Sequence, residues 1–175
     1  MSAKEYFIET PRLILRRYKE SDLEGLHQYL SDPEVVRFEP YRPMDMEETE
    51  AELQRRMASH EMIAVELKDT GRLIGNVYLG SRDFNSVELG FVFNREYWGR
   101  GLASESCRAV IKQAFSDGAH RIFAECDPEN ENSWRLLEAL GFRREGRLLQ
   151  NVYFWTDDSG RPLWKDTYIY GMLNT

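Results

Sequence analysis

A short run of small residues, placed just before a strong helical pattern, is the part of the chain best suited to binding a ligand. It reads Tyr97-Trp98-Gly99-Arg100-Gly101-Leu102-Ala103-Ser104. Glycines let the backbone come close to a bound group, and the first N–H groups of a helix have no partner within the helix. Such amides bind anions. The segment therefore indicates a site for a phosphate-bearing ligand, and a diphosphate is a natural fit.

Two other interpretations of this segment have to be weighed. The glycines could serve only as a turn and a helix cap. Alternatively, Gly99, Gly101 and Ser104 nearly fill the G-x-G-x-x-G pattern of a dinucleotide-binding turn. Glu125 lies about where the ribose-binding acid would follow. Against a dinucleotide site, the third glycine is replaced by serine, and residues 94–98 separate the preceding strand from the first glycine. No further β-α-β unit follows either.

The elements around this segment predict an α/β fold with one mixed, mostly antiparallel sheet of seven strands and flanking helices. Apolar periodicity predicts strands near residues 13–15, 62–67, 73–79, 87–93, 121–125, 147–155 and 164–172. A first helix is predicted to begin at a capping box at Ser21. Three more helices are predicted to cover about 47–59, 102–116 and 133–140. The central β-α-β unit should hold two parallel strands, because a helix crosses between them. No linker or repeat interrupts the pattern, so residues 1–175 are expected to form a single domain.

Several motifs resemble those of one known family. Residues 98–103 resemble the pyrophosphate-binding loop of the GCN5-related N-acetyltransferases. Residues 9–16 are similar to the opening strand of the branch that acetylates the N-termini of ribosomal proteins. Further similar segments are Asp32-Pro33-Glu34-Val35, Leu89-Gly90-Phe91, Asn130-Glu131-Asn132-Ser133 and Leu140-Gly141-Phe142. One position departs from the pattern, since Trp98 stands where most of the superfamily has Gln or Arg. The resemblance covers nearly the whole chain and implies the acyl-CoA N-acyltransferase fold.

The resemblance also implies how acetyl-CoA would be held. Its diphosphate would lie on the amides at the start of the long helix, and its pantetheine arm would pair with residues 91–93 where two parallel strands splay apart. A main-chain amide near Phe91 or Val92 would polarise the thioester carbonyl. Asn130 would bind a pantetheine amide. The implied cofactor-binding residues are Phe91, Val92, Phe93, Gly99, Arg100, Gly101, Leu102, Ala103, Ser104 and Asn130.

By the same resemblance, an amine would attack the thioester directly in a ternary complex. An alkyl amine of pKa ~10.4 is neutral in roughly one molecule in 2,500 at pH 7, so a base or a water chain would help. Glu88, in the middle of a strand, and Glu125, at the end of the next one, are the candidate bases. Ser133 is the candidate acid for the leaving thiolate, as this branch suggests. Asn130, Asn132 or Ser133 could instead simply cap the helix.

Composition narrows the function further. The formal net charge of −7 argues against a broad surface for nucleic acid or anionic membrane. The first ten residues contain acids and no apolar stretch typical of a signal peptide, and no apolar run is long enough to span a bilayer. These features predict a cytoplasmic protein. The two cysteines and three histidines lack the spacing of a metal site, so no metal is expected.

The sequence therefore predicts an acetyl-CoA-dependent N-acetyltransferase that acts on a primary amine. The favoured acceptor is a protein or peptide N-terminus, and the alternatives are polyamines, aminoglycosides and other small amines. The acceptor pocket would be formed by the first two helices, within residues 22–59, and by four aromatic residues of the closing strands, Tyr153, Trp155, Trp164 and Tyr168. These aromatic residues could instead simply belong to the core. A catalytically silent acyl-CoA-binding sensor remains open, as does a homodimer.

Overall fold

The computed structural model describes residues 7–174 and contains one mixed sheet with helices on both faces. The strands are β1 (Phe7–Glu9), β2 (Leu13–Arg16), β3 (Met62–Leu67), β4 (Arg72–Arg82), β5 (Ser86–Phe93), β6 (Arg121–Cys126), β7 (Arg143–Val152) and β8 (Lys165–Leu173). The helices are α1 (Leu23–Leu30), α2 (Met46–Ala58), α3 (Leu102–Ser116) and α4 (Glu131–Leu140). The predicted α/β architecture is confirmed. The sheet has eight strands instead of seven, because the short β1 pairs with β2 and has no apolar alternation to reveal it.

The strands lie in the order β1-β2-β3-β4-β5-β6-β8-β7. Only β5 and β6 run parallel within this described sheet, and every other neighbouring pair is antiparallel. The helix α3 connects the two parallel strands, as a crossover requires. The carboxyl ends of β5 and β6 therefore lie at the same edge of the sheet, where α3 begins.

Local signals explain where two of the helices begin. The helix α2 starts with a capping box, in which the Asp45 side chain accepts from the amide of Glu48 (2.9 Å) and Glu48 accepts from the amide of Asp45 (3.0 Å). The capping box predicted at Ser21 does not form. Asp22 instead accepts from the amide of Lys19 (2.9 Å), within a short 3-10 turn that precedes α1.

The sheet buries a separate apolar cluster on each face. The helices α3 and α4 cover one face, here called the α3 face, with Leu89 and Leu137 in its core. The helices α1 and α2 cover the opposite face, here called the α1 face, with Leu26 in its core. Val92 of β5 packs against the second cluster. Because side chains alternate along a strand, Glu88, four residues before Val92, also lies on the α1 face.

A buried arginine stands inside the cluster on the α1 face. Arg56 of α2 is 3% exposed and donates to Glu52 Oε1 (2.6 Å) and to Asn76 Oδ1 of β4 (2.8 Å). It also donates to the hydroxyls of Tyr18 (3.0 Å) and Tyr29 (3.1 Å). These hydrogen bonds tie α1, α2 and β4 together. The apolar pattern of the sequence did not predict them.

Replacing Arg56 with Met should destabilise the fold strongly, because it removes a buried charged donor that serves acceptors on three elements. Breaking a buried ion pair costs about 3–5 kcal/mol, and the low end is expected because Arg55 still binds Glu52. Chemical denaturation measures the change. Arg55→Met is the matched control, since this exposed partner of the same carboxylate should contribute less than about 1 kcal/mol. Equal losses of unfolding free energy in the two variants would contradict the prediction that the buried Arg56 contributes more than the exposed Arg55.

Candidate active site

A cleft opens between the two parallel strands at their carboxyl ends. The strands β5 and β6 pair only at Ser86↔Arg121, Val87↔Ile122 and Glu88↔Phe123. Beyond Glu88 they separate, whereas β6 stays paired with β8 as far as Cys126. Residues 89–93 and 124–126 therefore line what is here called the β5–β6 cleft. This is where the sequence resemblance implied that the pantetheine arm would lie.

Flanking hydrogen bonds reveal which backbone groups of β5 face this cleft. The amide of Asn94 donates to a carbonyl of β4 (2.9 Å), while the carbonyl of Asn85 accepts from the residue before β6 (2.8 Å). Successive residues of a strand direct their N–H and C=O groups to opposite edges. The backbone N–H and C=O groups of the odd-numbered residues of β5 therefore point into the cleft. Of the two amides expected to contact a thioester carbonyl, that of Phe91 faces the cleft and that of Val92 faces β4.

The Trp98 side chain is hydrogen-bonded to the protein's own backbone. Its indole Nε1 donates to the main-chain carbonyl of Phe93 (2.8 Å), at the end of β5. This bond occupies the Phe93 carbonyl and fastens the segment before α3 to the edge of the cleft. The unusual residue at this position therefore has a structural role, which the local sequence pattern could not reveal.

The start of α3 presents a row of amides without acceptors. Gly99 (φ 72°) and Gly101 (φ 73°) are both left-handed, a conformation that residues with a Cβ rarely adopt. The first hydrogen bond of α3 runs from the amide of Glu105 to the carbonyl of Gly101 (3.0 Å). The amides of residues 99–104 have no acceptor within the described part of the chain. A Cβ at position 99 would meet nothing within 4 Å, so the site is open to a ligand. The arrangement fits a diphosphate.

Asn130 and Ser133 lie just beyond the carboxyl end of β6, where α4 begins. Asn130 is the N-cap residue, and its side-chain oxygen accepts from the amide of Ser133 (3.2 Å). Its side-chain nitrogen stays available to donate. Ser133 is not the cap, because only its amide takes part. Its hydroxyl makes no hydrogen bond to the described residues, and the side chain is half-buried.

The two candidate bases stand in different electrostatic surroundings on the α1 face. Glu88 is paired with Arg82 at the end of β4 (2.5 Å). Glu125 lies two residues beyond Phe123, the partner of Glu88, and therefore on the same face. It has no hydrogen bond or ion pair with residues 7–174. Partial burial and the nearby charge of Glu88 raise the pKa of Glu125. An unpaired carboxylate with a raised pKa is the better proton acceptor of the two.

The loop between α1 and α2 (residues 31–45) spans the open end of the cleft. Near its start, Asp32 pairs with Arg95 just after β5 (3.1 Å). Near its end, the Arg42 guanidinium lies 4.7 Å from the centre of the Trp155 ring in the β7–β8 hairpin. The strands β6 and β8 lie between these two anchors in the sheet order. An acceptor approaching the cleft from the α1 face therefore meets this loop.

The four aromatic residues expected around the acceptor divide between two places. Tyr153 and Trp164 pack edge to face with ring centres 5.1 Å apart, and each is about half exposed beside Trp155 in the hairpin. Tyr168 packs against the core of the α3 face instead. Its place in strand β8 directs it away from the α1 face, so the expectation for Tyr168 is wrong.

Within residues 7–174, neither the cysteines nor a group of metal-binding side chains forms an alternative centre. Burial raises the pKa of Cys107 and of Cys126 to about 12, so neither thiol is poised as a nucleophile. Among residues 7–174, no group of three or more His, Cys, Asp or Glu side chains is placed to hold a metal ion. The helices described here are all too short or too polar to cross a membrane.

Comparison with known proteins identifies the family to which this fold belongs. Residues 12–143 match the family model described as an acetyltransferase (GNAT) domain. The chain is 32% identical to the uncharacterized N-acetyltransferase YnaD of Bacillus subtilis, over 95% of this chain and 96% of that one. It is also 32% identical to a solved GNAT-family acetyltransferase from Bacillus anthracis, with a TM-score of 0.88 over 97% of this chain and 99% of that one. A segment of 72 residues is 38% identical to the ribosomal protein uS5 alanine N-acetyltransferase of Escherichia coli, covering 41% of this chain and 36% of that one. The chain therefore belongs to the GNAT family and is an N-acetyltransferase.

Proposed function

We propose that this chain, acting as a single domain, transfers the acetyl group of acetyl-CoA to the N-terminal amine of a protein or peptide. The observation that carries the proposal is the β5–β6 cleft, which has free amides at one end and an unpaired carboxylate on its wall. The cleft lets donor and acceptor meet without a covalent enzyme intermediate. This arrangement supports direct attack of the amine in a ternary complex.

The donor half of the site uses main-chain groups almost throughout. The amides of residues 99–104 would hold the diphosphate, and the cleft-facing edge of β5 around Phe91 would pair with the pantetheine arm. The free side-chain nitrogen of Asn130 would donate to the same arm. Bound acetyl-CoA supplies an activated acetyl group. The amide of Phe91 is the candidate donor to its carbonyl oxygen.

The acceptor half favours an amine of low basicity. Glu125 is a carboxylate, and even with a raised pKa it is a weak base. An N-terminal amine of pKa ~7.8 is neutral in roughly one molecule in seven at pH 7, whereas a lysine-like amine is neutral in roughly one in 2,500. A weak base therefore suffices for an N-terminus. The hydroxyl of Ser133, or a water molecule it holds, would return a proton to the leaving thiolate.

Two further observations support a peptide acceptor. Tyr153, Leu163 and Trp164 are each about half exposed in the β7–β8 hairpin, next to the loop that spans the cleft. Such a patch suits an extended chain better than a compact metabolite. The Escherichia coli relative that matches part of this chain bears the name of an enzyme acting on a ribosomal protein.

A thiol-release screen over amine classes tests the proposal. Short peptides with a free N-terminus should release CoA faster than polyamines or aminoglycosides at equal concentration. The matched control is each peptide with its N-terminus blocked and a lysine retained, which should be inactive. Faster turnover of polyamines would assign a small-amine acceptor instead. CoA binding without any thiol release would identify the silent sensor.

A further inference from the structure

Arg12 links the turn between β1 and β2 to the start of α3. Its Nη1 donates to the main-chain carbonyl of Arg100 (2.9 Å), and its Nε donates to Glu105 Oε2 (2.7 Å). The other oxygen of Glu105 accepts from the amide of Arg12 (2.9 Å) and from the hydroxyl of Thr10 (2.7 Å). Four hydrogen bonds thus join two segments that lie some ninety residues apart in sequence.

The bond to Arg100 determines where the next amide points. A trans peptide unit is planar, and its C=O and N–H groups point in opposite directions. When Arg12 holds the carbonyl of Arg100, the amide of Gly101 must therefore point away from Arg12. That amide belongs to the row proposed to hold the diphosphate. Gly101 can follow this geometry because its backbone is left-handed.

The bond to Glu105 removes an electrostatic conflict. Glu105 lies in the first turn of α3, where its charge would repel an anion bound at the helix start. Although partial burial acts in the opposite direction, hydrogen bonds from Thr10 and Arg12 lower the pKa of this carboxyl, so it is ionised near neutral pH. The guanidinium of Arg12 lies directly against it and offsets its charge.

We propose that Arg12 is a positioning residue for the donor, which fixes the amide row at the start of α3 for diphosphate binding and screens Glu105. The inference rests on the proposed use of acetyl-CoA, and it adds a side chain distant in sequence to a diphosphate site otherwise built from backbone amides. Arg12 acts through the loop and is not required to touch the reacting atoms.

Calorimetry with CoA tests this inference without relying on activity. Arg12→Met should weaken CoA binding by about tenfold or more, as expected for loss of charge-assisted hydrogen bonds. In kinetics, KM for acetyl-CoA should rise while kcat stays near the wild-type value. S-acetylpantetheine lacks the diphosphate, so its kcat/KM should not change. Lys68→Met is the matched control, because it removes an ion pair to Glu9 in the same hairpin (2.6 Å) without touching α3, and CoA affinity should be retained.

The outcomes separate this inference from the proposed function. Unchanged CoA affinity in Arg12→Met would overturn the positioning role. An equal loss of kcat/KM with acetyl-CoA and with S-acetylpantetheine would do the same. Neither result would affect acetyl transfer by the wild type. Absence of thiol release by the wild type would count against the proposed function only. If Arg12→Met fails to fold, Arg12→Lys replaces it. Lysine keeps the charge but lacks the planar fork that serves Arg100 and Glu105 together, so a smaller loss confined to CoA is expected. Wild-type affinity in that variant would also overturn the inference.

Discussion

In thiol-release assays with a peptide acceptor, Glu125→Gln should lower kcat about a hundredfold at neutral pH. General base catalysis is worth about 10²–10⁴-fold, and the low end is expected because an N-terminal amine is only weakly basic. The loss should shrink by no more than about sevenfold above pH 8, where most of the amine is neutral without help, because the base still takes the proton that the nitrogen loses on attack. The amide side chain of the variant has nearly the same shape, so CoA affinity should not change.

Glu88→Gln is the matched control for this prediction, and it changes the pH profile instead of the maximal rate. In the wild type, activity should fall as pH decreases through the raised pKa of Glu125, because only the ionised carboxylate accepts a proton. Removing the charge of Glu88 and freeing Arg82 both lower that pKa. The acid limb of the pH profile should therefore move to lower pH in Glu88→Gln. The same peptide is used with both enzymes, so the titration of its own amine affects the two profiles equally.

The opposite pattern would reassign the base. A larger loss of kcat in Glu88→Gln than in Glu125→Gln would give the role to Glu88 despite its ion pair. Small and equal losses in both variants would favour a water relay between amine and solvent. Each result is read directly from the two pH profiles.

The sequence alone predicted those parts of the site that depend on local chain geometry. The limits of α3 follow from the small residues around Gly101 and from the apolar period of the helix, and the structure has the helix at 102–116 as predicted. The parallel pairing of β5 and β6 follows from that crossover. The opening between them was implied by the resemblance to the family and not by local geometry, and the structure has it beyond Glu88.

The parts that the sequence did not reveal depend on contacts between distant segments. Nothing local indicates that Trp98 bonds the carbonyl of Phe93, or that Arg12 reaches Arg100. The ion pair between Glu88 and Arg82 was equally hidden, because it depends on the position of Arg82 across a strand turn. In each case a side chain meets a group whose location is known only once the sheet has formed.

The structure makes Ser133→Ala a clean test of the candidate acid. Capping at this helix start comes from Asn130, and Ser133 contributes only its amide, which alanine retains. Alanine also has the higher helix propensity, so the free energy of unfolding should change by less than about 0.5 kcal/mol. A change in rate would then report chemistry and not a weakened helix.

Ser133→Ala should lower kcat by about a hundredfold while KM for acetyl-CoA stays nearly constant, the pattern of an interaction made in the transition state. The low end of the range for acid catalysis is expected because a thiolate is already a fair leaving group.

Asn130→Ala is the contrasting variant, since loss of the cap should cost about 0.5–2 kcal/mol of stability. Asn132→Ala, on the exposed side of the same turn, should change neither quantity. A fall in kcat of under about threefold in Ser133→Ala would exclude Ser133 as the acid, because acid assistance of that size is below the usual range.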